Sequence, residues 1–281
     1  MFSIVIPTFN NLNYLSLCLE SIRKNSKYTH EIILHVNEGK DETLNFVKSN
    51  KIIHTYSADN IGLCSGVNLA AKKATKDYIL YSHDDMYFCP GWDEEFIKEI
   101  NNIKHDNFFL SGTMIQPFNS FINLNCGKNF KDFNEKKLLN EYKIINFSDF
   151  QGSTWAPSLI PIKTWKKVSG FSEEYTFGLG SDPDFNMKLW KAGVRIHKGL
   201  GNSRVYHFGS LSLRKKVWND GHKIFLMKWG ITIKFFKKYY LRSNQSYDGP
   251  LDNPKKNFSF LASYFICKIK YIYLKLINFK T

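Results

Sequence analysis

The chain has 281 residues, 43% of them hydrophobic and 16% aromatic, which is enough for a sizeable core in one large domain or two small ones. Its 39 Lys and Arg against 25 Asp and Glu give a formal net charge of +14, which favours anionic partners such as nucleotide phosphates or acidic lipids; without a recognisable nucleic-acid-binding motif, nucleic acid is not an expected partner. The five cysteines are far apart and form no CxxC pair, which argues against a disulfide scaffold or a zinc site and is typical of reduced thiols.

The first third of the chain alternates short apolar runs with segments of helical spacing. Such alternation is typical of βαβ units with right-handed crossovers, in which helices cover both faces of a parallel sheet. The chain opens on a strand pattern without the features of a signal peptide, and no stretch has the apolar length of a transmembrane helix, so we expect a cytoplasmic protein. The predicted strands are Phe2–Ile6, Ile32–Val36, Ile52–Tyr56 and Tyr78–Tyr81, and the predicted helices run from Asn10 or Asn11 to Ile22, from about Asp41, and from Leu63 to Ala74.

The rest of the chain continues this pattern less regularly and becomes helical, basic and aromatic from Ser212. Residues 116–149 have the weak periodicity of loops with one short helix, and residues 244–257 have the composition of a polar linker. The further predicted helices are Trp92–Ile103, Pro161–Val168, Phe185–Ala192 and Phe258–Phe279, and the further strands are Asn107–Ile115, Phe150–Ile160, Val194–His197 and Arg204–Phe208.

A polar segment, Ser82–Asp85, directly follows the predicted strand Tyr78–Tyr81. Adjacent carboxylates and a histidine at the carboxyl end of a strand are costly to desolvate without a partner, and ligands bind at this edge of open α/β sheets. The simplest partner is a divalent cation that carries a phosphorylated ligand. Taken alone, the segment is equally consistent with a solvated polar turn.

Seven short motifs follow one another in order along residues 2–215: SIVIPTFNN at Ser3–Asn11, EIILHVNEGKDET at Glu31–Thr43, DNIGLCSGVNLA at Asp59–Ala70, SHDDMYFCPGW at Ser82–Trp92, GFSEEY at Gly170–Tyr175, GSDPDFNMKLWKAG at Gly180–Gly193 and Tyr206-His207. As a set they resemble the family 2 glycosyltransferases of the GT-A fold. The resemblance implies an α/β fold with a Rossmann-like, mostly parallel twisted sheet, helices on both faces, and a helical basic C-terminal tail. It implies a catalytic domain at 1–215, made of a nucleotide-sugar-binding half (1–114) and an acceptor half (115–215), and an extension at 216–281.

The resemblance also implies a divalent cation, Mn²⁺ or Mg²⁺, bound with the donor diphosphate. Asp85 aligns with the last carboxylate of the family's DxD motif and His207 with its late metal ligand, so both are candidate ligands. His83 stands in place of the first Asp, and whether it contacts metal, ribose or neither is open. His83 and Asp84 are candidate donor contacts. Without the other motifs, His207 is better explained as an ordinary half-buried strand histidine.

An inverting transfer needs a base that takes the proton of the acceptor hydroxyl. By resemblance Asp182 is the first candidate and Asp184 the second, and Ser181, which replaces the family's usual Glu, is a candidate acceptor contact. Asp182-Pro183 also has the pattern of a helix start, with Asp as N-cap and Pro as the first helical residue. Such a position would hold the carboxylate rigidly and lower the pKa of Asp182 through the helix dipole.

Candidate donor contacts follow the first three predicted strands, although their polar side chains are also typical helix caps. Trp155 is a candidate stacking platform for an acceptor sugar, and simple core packing explains it equally well. Val67 stands where the family often has an Arg, so a basic phosphate contact is expected elsewhere, for example at Arg214 or Lys215. The donor candidates are Pro7, Thr8, Asn10, Asn37, Glu38, Asp59 and Asn60, with Asn37 or Glu38 expected to bond the base.

The apolar C-terminal segment with its lysines has two interpretations. One is a basic amphipathic anchor on an anionic membrane, peripheral to the inner face of the cytoplasmic membrane, which brings the active site to a lipid-linked acceptor. The other is a helix packed on the catalytic domain or on a second subunit. The net charge of +14 favours the membrane interpretation.

These inferences predict a metal-dependent, inverting glycosyltransferase that moves a sugar from a nucleotide diphosphate sugar, preferentially UDP-linked, to a hydroxyl of a cell-surface glycan or lipid-linked saccharide. One alternative is a sugar-phosphate nucleotidyltransferase, but the segment PTFNNLN after the first strand has neither the Gly nor the basic residue of the loop that such enzymes carry. Another alternative is a non-catalytic nucleotide-sugar-binding protein, motivated by the substitutions at His83 and Ser181.

Overall fold

The computed structural model describes residues 1–118, 120–209 and 220–278, which form a mixed α/β fold around one ten-stranded sheet. None of the described helices is long and apolar enough to cross a membrane. The strands are β1 (Phe2–Phe9), β2 (Glu31–Asn37), β3 (Ile53–Ser57), β4 (Tyr78–Tyr81), β5 (Met86–Phe88), β6 (Phe108–Gln116), β7 (Ile122–Asn123), β8 (Phe150–Gln151), β9 (Ser158–Pro161) and β10 (Ile196–His207). The helices are α1 (Leu12–Asn25), α2 (Thr43–Ser49), α3 (Leu63–Ala71), α4 (Trp92–Ile103), α5 (Glu135–Glu141), α6 (Ile162–Lys167), α7 (Ser181–Lys191), α8 (Gly221–Trp229), α9 (Ile233–Phe235), a π-helical turn (Phe236–Tyr240) and α10 (Phe258–Asn278).

The first four strands form the parallel half of the sheet, in the spatial order β3-β2-β1-β4. This arrangement follows from the predicted alternation of strands and helices, and the bounds of β4 and α4 are as predicted. Because the strands are parallel, their carboxyl ends meet at one edge, where Thr8 pairs with Val36 and the Ser82 amide donates to the Val5 carbonyl at 3.0 Å. The polar segment after β4 therefore begins beside the end of β1.

The second half of the sheet is mixed, and two predictions fail there. The predicted strands Val194–His197 and Arg204–Phe208 are one strand, β10, whose register with β6 shifts between Gly199 and Arg204. The predicted strand Phe150–Ile160 is two strands, β8 on β10 and β9 between β4 and β6. The chain leaves β8 at Gly152, whose φ of +70° breaks the extended backbone.

The C-terminal segment packs closely on the sheet-bearing part of the chain. A hydrophobic cluster joins α7 to α8, the π-helical turn and α10, through Trp190, Phe225 and Phe236 among others. Residues 244–257 are not the free linker that their composition predicts, because the Gln151 amide donates to the Gln245 carbonyl at 2.7 Å and the Leu251 amide to the Arg195 carbonyl at 2.8 Å. The predicted domain boundary at 215 lies outside the described residues.

Candidate active site

The polar segment after β4 is held between β1 and β10. Thr8, at the end of β1, donates its hydroxyl to the Asp84 carboxylate at 2.6 Å. The three residues after Asp85 form β5, which runs antiparallel to β10 and pairs Met86 with His207. The Phe208 amide donates to the Asp85 carbonyl at 3.2 Å, which closes this pairing. Two residues that are 122 positions apart in sequence, Asp85 and His207, are thereby brought together by the sheet.

The side chains of His83, Asp85 and His207 form a compact group whose candidate ligand atoms all lie within 4.8 Å of one another. Asp85 Oδ1 lies 3.3 Å from His207 Nε2, and both residues are buried. Two imidazoles and a carboxylate are donor types that divalent transition-metal ions accept. The donor set and its spacing therefore fit one divalent ion, with His83 included.

Burial and neighbouring charges shift the pKa values of the ionisable side chains in and beside this group. Burial raises the pKa of Asp84, and the adjacent Asp85 carboxylate raises it further. Burial lowers the pKa of His83 to about 4, so its imidazole is neutral at pH 7 and can serve as a ligand. For His207, burial lowers the pKa, but the charge and hydrogen bond of Asp85 together with the charge of Asp84 outweigh burial, so the pKa of His207 is raised. A bound cation would stabilise the two adjacent carboxylates in their ionised form.

Two residues that were not identified from the sequence orient these imidazoles. The Tyr81 hydroxyl lies 3.0 Å from His83 Nε2, and the Gln116 side-chain amide nitrogen lies 2.5 Å from His207 Nδ1. Hydrogen-bond partners of this kind generally fix the ring orientation of metal-binding histidines. Gln116 ends β6, and only the parallel pairing of β6 with β10, which matches Ile115 to Tyr206, brings it beside His207.

The candidate base Asp182 lies in the first turn of α7, but it is not the N-cap. The N-cap is Gly180, at φ +86°, which makes Asp182 the second helical residue and contradicts the predicted capping role. The prediction of a lowered pKa is also wrong, because burial raises the pKa of Asp182 to about 7, while the cation of Lys237 opposes the rise. Desolvation thus outweighs the helix dipole and gives a carboxylate with the basicity that proton abstraction near neutral pH requires.

The second candidate base, Asp184, is fully buried and bonded to several donors. Its carboxylate accepts hydrogen bonds from Ser172 Oγ at 2.6 Å and Trp229 Nε1 at 2.7 Å, and lies 3.1 Å from Lys228 Nζ. These contacts join α7 to α8 and occupy both carboxylate oxygens. Ser181, the candidate acceptor contact, is also buried, and its hydroxyl donates to the Gly178 carbonyl at 2.7 Å.

Trp155 lines a cavity of about 360 Å³ together with Met114, Gln116, Ser120 and Phe121. The Trp155 ring is stacked on Phe150, in agreement with the core-packing interpretation of this residue. Among the described residues, however, the buried indole Nε1 of Trp155 has no hydrogen-bond partner. Gln116 belongs both to this cavity and to the surroundings of His207. The cavity is therefore adjacent to the candidate metal group and has an aromatic wall and polar side chains.

The cation near Asp182 comes from the C-terminal extension. Lys237 Nζ lies over the Trp155 ring, 5.7 Å from its centroid, and burial lowers the pKa of Lys237 while Asp182 opposes this effect. Lys237 is part of the π-helical turn, a structure that is frequent at functional sites. The Ser243 amide donates to the Lys237 carbonyl at 3.0 Å, and the Ser243 hydroxyl to the Gly152 carbonyl at 2.8 Å, so the turn is anchored just before Trp155.

A sequence-family model described as "Glycosyl transferase family 2" matches residues 3–154, just over half of the chain. The chain belongs to glycosyl transferase family 2. It is 26% identical over 219 residues to a hyaluronan synthase of Pasteurella multocida, a match that covers 76% of this chain and 21% of that protein. Among solved structures, S. aureus TarS 1-349 in complex with UDP-GlcNAc has a TM-score of 0.61 at 14% identity, over 96% of this chain and 71% of that one. GalNAc-T7 with UDP, GalNAc and Mn²⁺ has a TM-score of 0.59 at 15% identity, over 84% of this chain and 49% of that one.

The family and the fold predicted from the seven motifs are thus confirmed. At 14% and 15% identity, the two solved structures establish the GT-A fold of this family 2 member. The chain spans about a fifth of the length of the hyaluronan synthase, so that protein's activity does not transfer directly to this one.

The predicted donor contacts of this family 2 chain lie at the carboxyl ends of β1, β2 and β3. Asn10, which has a φ of 45°, donates its side-chain amide to the Glu38 carboxylate at 3.2 Å. Asn37 is buried, and its side-chain oxygen accepts the Ile61 amide at 3.0 Å, while the Asn60 side chain accepts the Gly62 amide at 2.9 Å. The remaining members are Pro7, which is half-buried, Thr8, which is buried, and Asp59, which is exposed.

These hydrogen bonds of Asn37 and Asn60 stabilise the loop after β3. The two residues therefore have a structural role at the carboxyl edge of the sheet in addition to their predicted contacts with the donor. The predicted phosphate contacts Arg214 and Lys215 lie outside the described residues.

Proposed function

We propose that this chain is a metal-dependent, inverting glycosyltransferase that moves a sugar from a nucleotide diphosphate sugar, UDP-linked by preference, to an acceptor hydroxyl. The observation that carries the proposal is the His83, Asp85 and His207 group at the carboxyl edge of the parallel strands, adjacent to the cavity lined by Trp155. The UDP-GlcNAc of the TarS complex and the UDP and Mn²⁺ of the GalNAc-T7 structure support this choice of donor and ion.

In the proposed site, His83, Asp85 and His207 hold a divalent cation, Mn²⁺ or Mg²⁺. The chemistry that such an ion supplies is neutralisation of the charge that develops on the departing diphosphate. Asp84, fixed by the Thr8 hydroxyl, faces the donor together with these ligands. The side chains at the ends of β1, β2 and β3 frame the nucleoside, with Glu38 or Asn37 bonding the base.

Asp182 is proposed as the base that takes the proton of the acceptor hydroxyl, and Trp155 as the surface on which the acceptor sugar stacks. A carboxylate with a pKa of about 7 is half ionised at neutral pH, so the transfer rate should rise with pH through that value and level off above it. Asp184 remains the second candidate, but its hydrogen bonds to Ser172 and Trp229 already occupy its oxygens.

Lys237 tunes this base. Replacing it with Met, which keeps the length of the side chain, removes the cation that lowers the pKa of Asp182. The rising limb of the pH–rate profile should therefore move to higher pH, with little change in the rate on the alkaline plateau. Lys238→Met, at the exposed neighbouring position, is the control and should leave the profile in place. If the rate of Lys237→Met rose at the same pH as that of the unchanged protein, then either Lys237 does not affect the pKa of Asp182 or Asp182 is not the base.

A panel of nucleotide sugars with and without Mn²⁺ tests the proposal as a whole. The cognate donor should raise the melting temperature only when Mn²⁺ is present, because the proposed site binds the diphosphate through the ion. A donor at a hundredfold excess over its Kd should add about 2.7 kcal/mol to the stability of the native state. EDTA should abolish both this stabilisation and the release of UDP in the presence of saccharide acceptors. Pyrophosphate release from UTP and a sugar 1-phosphate would instead identify a nucleotidyltransferase, and donor binding without transfer or hydrolysis would identify a non-catalytic binder.

The acceptor, the location and the membrane partner are further parts of the proposal. We propose a hydroxyl of a cell-surface glycan or a lipid-linked saccharide as the acceptor, and a cytoplasmic protein associated with the inner face of the membrane. The net charge of +14 supports an anionic partner surface. The half-buried cation of Lys237 beside Trp155 is also compatible with an acidic acceptor.

A further inference from the structure

Among the described residues, helix α10 packs on the rest of the protein through one face. Phe260 and Cys267, seven residues apart on that face, are 6% and 3% exposed. Phe260 contacts Phe235 with ring centroids 5.0 Å apart, and Cys267 Sγ lies 3.6 Å from Thr232 Oγ1. These contacts attach the 21-residue helix to α9 and its N-cap, and Tyr239, whose ring centroid lies 5.3 Å from that of Phe260, attaches it to the π-helical turn. The helix is therefore a fixed part of the fold with a second, outward face.

The outward face of α10 is apolar along its whole length. Phe265 is 66% exposed and Ile272 is 56% exposed. Contiguous apolar surface of this kind is rare on proteins that remain free in water and marks an interaction site. The exposed large apolar residues of α10 are Phe258, Leu261, Tyr264, Phe265, Ile266, Ile269, Ile272, Tyr273, Leu276 and Ile277.

Lysines border this apolar face. With 3.6 residues per turn, Lys270 lies at one edge of the face and Lys268 and Lys275 lie at the other. Residues 221–278 contain eleven Lys or Arg but only two acidic residues, Asp248 and Asp252, neither of them in α10. The long alkyl stems of lysine can lie along an apolar layer while the ammonium groups reach water or phosphate.

A groove beside α10 adds a second basic feature. It has a volume of about 280 Å³ and is lined by Lys234, Lys238 and Lys270 together with Phe235 and Ile266. Three lysines that line a partly apolar groove match the phosphate and acyl chain of an anionic lipid. The groove opens on the same part of the molecule as the edge of the apolar face that carries Lys270.

We infer that α10 lies in the interface of an anionic bilayer, with its outward apolar face in the headgroup–acyl boundary and the lysine groove on lipid phosphates. Charge decides between this occupant and a second copy of the chain. Two copies that met through α10 would bring two lysine-bordered faces together, whereas an anionic bilayer supplies both the apolar layer and the opposite charge. This inference specifies the membrane partner proposed above, and its test uses no catalytic readout.

The test is sedimentation of the full chain with vesicles of phosphatidylcholine, alone or with about a third phosphatidylglycerol. The protein should bind the anionic vesicles and be released by high salt. The double variant Phe265→Ser/Ile272→Ser should bind roughly tenfold or more weakly, because it removes the apolar insertion. Lys234→Gln/Lys270→Gln should weaken binding to anionic vesicles by about fivefold per lysine and leave any binding to neutral vesicles unchanged.

Matched controls are Ile144→Ser, an exposed apolar residue elsewhere on the surface, and Lys163→Gln, an exposed lysine on α6; both should bind like the unchanged chain. All substituted side chains are exposed or line an open groove, and unchanged melting temperatures would verify folding. Absence of vesicle binding, or full binding by the Phe265→Ser/Ile272→Ser variant, would overturn the inference. A dimer that this double variant dissociates would overturn it too, by assigning the face to a second copy.

Discussion

Asp85→Asn should lower metal-dependent transfer by roughly 100- to 1,000-fold, the loss typical when a group that stabilises developing charge is removed. It should also weaken Mn²⁺ binding by more than about tenfold, since even changes to the groups around metal ligands weaken affinity by about 10- to 100-fold. Both effects follow from the position of Asp85, the one candidate ligand in the group of three that carries a formal negative charge. Initial rates and isothermal titration with Mn²⁺ measure them separately.

The substitution is nearly isosteric. It removes the repulsion between Asp85 and the buried Asp84 but also the ion pair between Asp85 and His207, so these effects oppose each other and the melting temperature without metal should change little. The control is Asp106→Asn, which loses an exposed surface ion pair to Lys163 and should retain both metal binding and activity. A fully active Asp85→Asn protein would refute the assignment of this site. Normal Mn²⁺ affinity with lost transfer would instead move the role of Asp85 from ion binding to donor positioning.

The parallel half of the sheet is readily predicted from the sequence because its information is local. Each strand from β1 to β4 is a short apolar run that ends in a turn signal, and helices of clear 3.6-residue spacing connect them. Tyr78–Tyr81 and Trp92–Ile103 have the predicted bounds for this reason. The edge at which these strands end, and hence the place of the candidate donor contacts, follows directly from their parallel order.

The continuous strand β10 could not be predicted, because its centre is rich in small and polar residues that look like a loop. Gly199 and Gly201 are required there by tertiary packing: a Cβ atom at Gly199 would lie about 2 Å from the Phe150 ring, and one at Gly201 about 2 Å from the Phe147 carbonyl oxygen. Close approach of this kind has no local sequence signal. The same limitation hid Gln116 and Lys237, whose relation to His207 and Asp182 depends on contacts between distant segments.

The prediction that Asp182 is the N-cap of α7 was wrong for a different reason. The Asp-Pro pair is a good local start signal, but Gly178 and Gly180 both adopt positive φ values and let the helix begin one residue earlier than Asp182. Asp182 thereby moves from a solvated cap into a partly buried position, where desolvation controls its pKa. The type of residue was evident from the sequence, whereas its basicity was determined by the fold.

Asp182→Asn should reduce the turnover rate by about 100- to 10,000-fold, the range expected when a positioned general base is removed. The variant should retain its affinity for donor and Mn²⁺, because Asp182 is not one of the three candidate metal ligands. It should also lose the rise of the residual rate with pH through about 7, since the group that titrates there is gone. Rates measured across pH, together with donor titrations, distinguish this outcome from a loss of binding.

Asp184→Asn is the matched comparison two residues away. That carboxylate accepts hydrogen bonds from Ser172 and Trp229 and pairs with Lys228, so its replacement should lower the free energy of unfolding by about 1–3 kcal/mol, with Lys228 left without its buried partner. In the fraction of this variant that stays folded, the transfer rate should still rise with pH through the pKa of Asp182. If instead Asp184→Asn abolished turnover in a fully folded protein while Asp182→Asn remained active, the two roles would have to be exchanged. The contrast between a kinetic loss at Asp182 and a stability loss at Asp184 therefore decides which carboxylate of the motif is the base.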